Sequence, residues 1–267
     1  MASIASTSII WNGQGPVHIG TFDPERGRPE NGYLVDIYSV GCGNRTLTAT
    51  PSRETETLKE SCSGQRLTLK EIETSKSLNV SLSMVQFDSR TLAQAFFGSA
   101  AVQDGGTVTD EILPTLAEGD YFFLKHPRAS SIVIEDSTDG TPITLVEGEH
   151  YEVSDADHGR CRLLKMPDTV TLPLKVDYEY AGYVNIAAFS KTNVEKGIIF
   201  SGINGDGQKV RVIIPRISLA MSGDFGWIGD SAGELTLGGQ ALYVQQLQGD
   251  PLFGPFMRID TMPDLPA

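Results

Sequence analysis

The stretch Leu78–Gly98, LNVSLSMVQFDSRTLAQAFFG, runs a strand into one short helix and decides the fold class. Leu78, Val80, Leu82 and Met84 alternate with Asn79, Ser81 and Ser83, the period-2 pattern of a strand with one buried face. Val85 and Phe87 break phase by one residue, which turns apolar side chains to the other face and predicts a bulge or a change of partner. Asp88 or Ser89 can then accept from the free N–H groups of a first helical turn. Leu92, Ala93, Phe96 and Phe97 form one apolar stripe, and Gly98 can adopt the left-handed stop. The predicted helix, about Ser89–Phe97, is short, so it caps a sheet through Leu92, Phe96 and Phe97 and builds no core of its own.

Upstream, residues 1–32 are polar and turn-rich around one strand candidate, Ser8–Trp11, and read as an N-terminal arm; Leu34, Ile37 and Val40 are weakly patterned. Thr46–Glu60 is rich in threonine and poor in apolar residues, so it is extended without a buried face, the composition of a projecting hairpin that turns at Ser63-Gly64. Downstream, residues 99–119 read as loop. Tyr121–Leu124, Ser131–Glu135, His150–Val153, Arg160–Lys165 and Leu172–Tyr180 are strand-length runs between turn clusters, an inserted all-β block. Four further strands are expected at Val184–Phe189, Lys196–Ile203, Gln208–Met221 and Glu234–Tyr243. Asn204-Gly-Asp-Gly207 gives the strongest hairpin signal, and Pro215 marks a bend or an edge. The proline-rich end, GDPLFGPFMRIDTMPDLPA, reads as a tail on a surface or on a neighbouring subunit.

Composition sets broad limits. With 267 residues, 40% of them hydrophobic, the chain can bury a large core without staples. Cys42, Cys62 and Cys161 are odd in number and widely spaced, so neither a disulfide framework nor a CxxC metal knuckle is expected, and a reducing compartment is implied. The start, MASIASTSIIWNGQG, lacks a basic segment followed by a long apolar run, and no stretch approaches the ~20 apolar residues of a membrane span; a soluble, untargeted protein is expected. A net charge of −13 argues against a surface that grips nucleic acid by its phosphates.

No grouping of chemistry-bearing residues points to catalysis, a cofactor or a metal. His18, His126, His150 and His158 lack paired-ligand spacing. Asp155, Asp157 and His158 crowd together in DADHG, but a turn explains them. Asp136-Ser-Thr-Asp-Gly140 likewise lacks the alternating oxygens and closing Glu of a calcium loop. GINGDG at 202–207 has neither the lysine nor the following helix of a phosphate loop, and Cys161 has His158 only as a sequence neighbour. Glu54 and Glu56 share one face of an extended segment: either a solvated edge that blocks strand pairing or a recognition arm.

The order of these pieces resembles the major tail tube protein of long-tailed, siphophage-like bacteriophages. The resemblance spans most of Arg45–Tyr243 and rests on the Leu78–Gly98 unit, the acidic segment at Thr57–Glu60, EGEHYEVSDADHGRCRLL at 147–164, and GIIFSGINGDGQKVRVIIPRISLAMSGDFGWIG at 197–229. It implies a mainly β protein: a tail-tube-type β-sandwich or barrel flanked by one short helix, with an inserted β subdomain and extended arms. The implied segments are an N-terminal arm and first strands (1–44), tube core with projecting hairpin and helix (45–98), the inserted subdomain (99–183), further core strands (184–245) and a C-terminal tail (246–267). The implied role is structural and non-enzymatic, without cofactor. Six-subunit rings stack into the tube through which DNA is ejected into the host, inner sheets join edge to edge around the lumen, and the hairpin, about Thr48–Arg66, reaches the adjacent ring. Arg53, Glu54, Glu56, Lys59 and Glu60 then become inter-ring contact candidates. Partners are further copies of the chain, tape-measure, terminator and distal tail proteins, and genomic DNA in passage, with no membrane. The location is the virion tail, assembled in host cytoplasm, and net acidity at the bore would limit phosphate sticking. The inner tube of a contractile tail or secretion-type machine shares the ring architecture. A carbohydrate-binding β-sandwich module, with Trp11 and Trp227 as stacking surfaces, is the alternative from another class.

Overall fold

A computed structural model describes residues 11–192 and 195–262. In chain order it contains β1 (Val17–Phe22), β2 (Leu34–Ser39), β3 (Asn44–Lys59), β4 (Thr68–Met84), α1 (Ser89–Ala95), β5 (Ser99–Gln103), β6 (Gly106–Ile112), β7 (Tyr121–Phe123), β8 (Ala129–Glu135), β9 (Tyr151–Asp155), β10 (Arg160–Leu163) and β11 (Lys175–Tyr180). There follow β12 (Tyr183–Ala187), β13 (Lys196–Ile203), β14 (Lys209–Ile217), β15 (Ala220–Met221), β16 (Leu235–Gln240) and β17 (Arg258–Met262). Among the described residues the fold is mainly β with one short α-helix. Two compact units divide it, Met1–Ser99 with Ile186–Ala267, and Ala100–Asn185.

The first unit holds a five-stranded sheet, β17-β14-β13-β1-β2, and a four-stranded sheet, β15-β16-β4-β3. They share one core. Val17 and Ile19 of β1, Ile198 of β13 and Ile214 and Ile217 of β14 cluster with Leu78, Val80, Leu82 and Met84 of β4 and Leu235 and Leu237 of β16. The alternation in β4 holds from Leu78 to Leu82, with Asn79 exposed and Leu82 and Met84 fully buried, but Ser83 is buried as well, its hydroxyl donating to the Glu234 carboxylate. The other face of the five-stranded sheet carries a second cluster, Ile213 with Val244, Leu247 and Phe253.

Several expectations are corrected. Residues 1–32 are not simply an arm: β1 lies between β13 and β2, inside the sheet. The Ser8–Trp11 candidate falls, except for Trp11, outside the described residues. The proline-rich end is not only a surface tail, because β17 pairs with β14 from Lys209↔Met262 to Ile213↔Arg258. The Asp260 carboxylate also accepts from the Arg211 and Arg258 guanidiniums at 2.6–2.8 Å. Pro215 lies past the end of that ladder, at a register shift between β13 and β14, where its missing N–H leaves no rung unmade. The phase break at Val85 is the end of a strand, with the Val85 N–H donating to the Gly43 carbonyl at 2.9 Å.

The helix start follows expectation and its stop does not. Asp88 Oδ1 accepts from both the N–H and the hydroxyl of Thr91 at 2.8 Å. At the other end Phe97, not Gly98, takes the left-handed conformation, at φ 49°. The Phe97 and Gly98 N–H groups then reach back to the carbonyls of Gln94 (3.4 Å) and Ala93 (2.7 Å), a Schellman closure. Gly98 is needed for another reason: a Cβ there would lie 2.6 Å from the Ala187 carbonyl oxygen.

The second unit has two three-stranded antiparallel sheets, β7-β10-β9 and β6-β11-β8. Phe122, Ile134, Tyr151, Cys161, Leu163, Val176 and Tyr178 form its core. Residues 99–119, expected as loop, contain β5 and β6. Neither has a fully buried residue, so hydrophobic periodicity could not reveal strands held by ladder bonds, as β6 is to β11 and β5 to β12.

Candidate interaction surface

The β3–β4 hairpin is two structures in series. From Asn44↔Met84 to Thr50↔Asn79 it belongs to the four-stranded sheet, and β16 runs along the other side of β4 up to Asn79↔Gln240. Beyond Pro51↔Leu78 the ladder continues to Lys59↔Thr68 with, among the described residues, no third strand and almost no burial on either face. At ~3.3 Å per residue, this free arm projects roughly 30 Å. A lone two-stranded ribbon is marginal in water, so its sequence makes most sense against a partner surface.

Register sorts the arm residues by face. Arg53 opposes Lys76, Thr55 opposes Glu73 and Thr57 opposes Glu71 on one face. Glu54 opposes Ser75, Glu56 opposes Ile72 and Leu58 opposes Lys70 on the other. Glu54 and Glu56 therefore share a face, as their spacing predicts, and Leu58 and Ile72 share it with them, both exposed. Glu54 is braced by the Ser75 hydroxyl, which donates to Oε2 at 3.0 Å. Leu58, Leu67, Leu69 and Ile72 are all exposed, which gives the arm an apolar contact surface beside its charges. Lys59 lies exposed at the last rung.

Glu60 has a different job from its neighbours. Its carboxylate accepts from the N–H groups of Cys62 (2.6 Å) and Ser63 (2.9 Å) and from the Ser63 hydroxyl, and so ties the tip together. The Ser63 hydroxyl and these amides hold its carboxyl down at about 2. The carboxylate is thus committed within the tip and is not a free contact group.

The helix-to-sheet contact also differs from expectation. Thr91, Ala93 and Ala95 are the buried helix residues, while Leu92, Phe96 and Phe97 are half-buried. Small side chains let the seven-residue helix lie close, and Gln94 Nε2 donates to the Leu219 carbonyl at 2.8 Å. Phe96 does pack on the core, but its ring faces Trp227 (6.2 Å, stacked) and Phe225 (6.4 Å, edge-on). Phe97 pairs with Phe189 at 6.3 Å.

The polar clusters weighed for chemistry resolve into local structure. Asp155 accepts from the His158 N–H at 3.1 Å and meets its Nδ1 at 2.8 Å within the turn. Asp136, 2% exposed, accepts from the Thr138, Ile143 and Thr171 N–H groups and from the Thr138 hydroxyl. Burial opposes its ionisation, yet these bonds outweigh it and hold the carboxyl down at about 2. Asn204, also buried, organises the 204–207 turn by accepting from the Asp206 and Gln208 N–H groups. Burial pushes the Cys161 thiol up to about 11, which suits a packing role.

Among the described residues, fold and surface define a mainly β protein with one α-helix and a coreless two-stranded arm. Residues 10–260 match the family described as protein of unknown function UCP028589, and the chain belongs to that family. No curated protein matches it. Among the described residues no helix is long and apolar enough to cross a membrane.

Proposed function

We propose that the chain is a non-enzymatic structural protein of a phage virion, the subunit of a tail tube assembled in host cytoplasm from stacked six-subunit rings, with DNA as transient cargo. The observation that carries this reading is the arm: nine rungs of ladder that leave the core at Pro51↔Leu78 and expose Leu58, Leu69 and Ile72. A ribbon without a core gains stability from docking on a neighbour. The outer edges of β2 and β17, the two ends of the five-stranded sheet, support lateral joining: among the described residues no strand covers either, and Ile37, Ile259 and Met262 lie exposed on them.

Replacing residues 54–75 by an Asn-Gly turn between Arg53 and Lys76 tests the role of the arm. The shortened chain is expected to fold and to form rings by electron microscopy, without stacking into tubes. Tubes as long as those of the full chain would overturn the proposed role of the arm.

A further inference from the structure

At the base of the arm lies a groove of about 460 Å³ whose apolar lining includes Pro51, Leu78, Pro255 and Phe256. Arg53 and Lys76 complete it. They are direct cross-strand partners, an unfavourable juxtaposition of like charges. Glu73 lies 2.8 Å from Lys76, but Arg53 has no ion-pair partner among the described residues. The groove thus combines an apolar floor with an under-neutralised basic rim.

The opposite character appears in the loop between β15 and β16, SGDFGWIGDSAGE at 222–234. It carries Asp224, Asp230 and Glu234 and no Lys or Arg. Ile228 is 98% exposed and Trp227 72% exposed. This knob is braced from behind: Phe225 meets the indole edge-on at 4.8 Å, Phe96 stacks on it, and Phe87 meets Phe225 at 5.4 Å. A rigid aromatic presented to water next to an unburied isoleucine has the composition of an interface anchor.

Register separates knob from groove. The loop returns to the sheet at Leu235↔Met84, whereas the groove begins at Pro51↔Leu78. Six residues of strand put them ~20 Å apart, so the loop of one chain does not reach its own groove. We propose that Trp227 and Ile228 seat in the Pro51–Leu78–Phe256 groove of a second copy, with Asp224 and Asp230 against Arg53 and Lys76. Two different patches make the contact, so it is head-to-tail and repeats from copy to copy along the strand direction. This deepens the tube reading and rests on it: the contact is a ring-to-ring anchor beside the arm, burying on the order of 200 Å² of indole within an interface of ~1,600 Å² or more.

The test is cysteine cross-linking with Cys42 and Cys62 changed to Ser; Cys161 is buried. Ile228→Cys and Pro255→Cys in one chain, oxidised to the disulfide by air, are expected to give a ladder of dimers, trimers and higher species on a non-reducing gel that collapses to monomer on reduction. Mixing the two single variants should give dimers only, and either alone should give none. Trp227→Ser should raise the concentration needed for assembly about tenfold or more. Tubes in the microscope without a ladder would overturn the knob-and-groove contact and leave the tube reading standing. A ladder without tubes would retain the contact and overturn the tube reading, and neither would overturn both. A ladder that appears only after removal of residues 1–10 would give the groove to the chain's own N-terminal segment and overturn the proposal.

Discussion

Pro51 and Leu78 face each other at the rung where the β3–β4 ladder passes from a four-stranded sheet with a buried face to a two-stranded ribbon with none. The same two strands therefore span both extremes of local stability. In the unassembled protein, amides of residues 52–59 and 68–77 are expected to exchange within seconds, while those of residues 80–84 are protected to near the global limit. Hydrogen exchange should show the arm gaining protection when the protein assembles.

Glu54 and Glu56 lie on one exposed face with Leu58 and Ile72. Reversing both charges touches no core contact, so stability should stay within ~0.5 kcal/mol in urea unfolding. Sedimentation should show weakened assembly. Normal assembly of the double variant would remove that face from the contact.

Leu82 is fully buried, whereas Leu92 is half-buried on the helix. Leu82→Ala is expected to cost about 2–5 kcal/mol. Leu92→Ala should cost roughly half that or less, because less apolar area returns to water. Equal losses in denaturant unfolding would contradict the packing described for the helix.

At Gly98 an added methyl meets the Ala187 carbonyl oxygen at 2.6 Å, and backbone must shift to admit it. Gly98→Ala is expected to destabilise by about 1–3 kcal/mol, the range for overpacked sites. Circular dichroism melting reads the loss.

The Asp136 carboxyl is held at about 2, against an ordinary value near 4. Its folded value is depressed, so its stabilisation is fully present above pH ~4 and is lost as pH falls through about 2. Asp136→Asn should destabilise the protein at neutral pH and flatten the stability profile between pH 4 and 2. Urea midpoints measured across that window, for both proteins, check the sign.

What the sequence reveals depends on whether burial is one-sided. The Leu78–Met84 alternation is legible because each apolar residue reports the same core face, and Asn204-Gly-Asp-Gly207 because its turn chemistry is local. β17 reads as tail because its hold is the ladder to β14 and the Asp260 ion pairs, which leave no hydrophobic period. The need for glycine at 98 comes from the approach of Ala187, a contact 89 positions along the chain that no local rule supplies. The shared face of Glu54 and Glu56 follows from strand parity. The exposure of Trp227 and Ile228 does not, since an aromatic between glycines reads equally as core.

Electron microscopy of the purified full-length protein decides whether the chain assembles into a tube. Hollow tubes built of stacked rings with six subunits each are expected. A protein that stays monomeric at every concentration and ionic strength tried would contradict tube assembly.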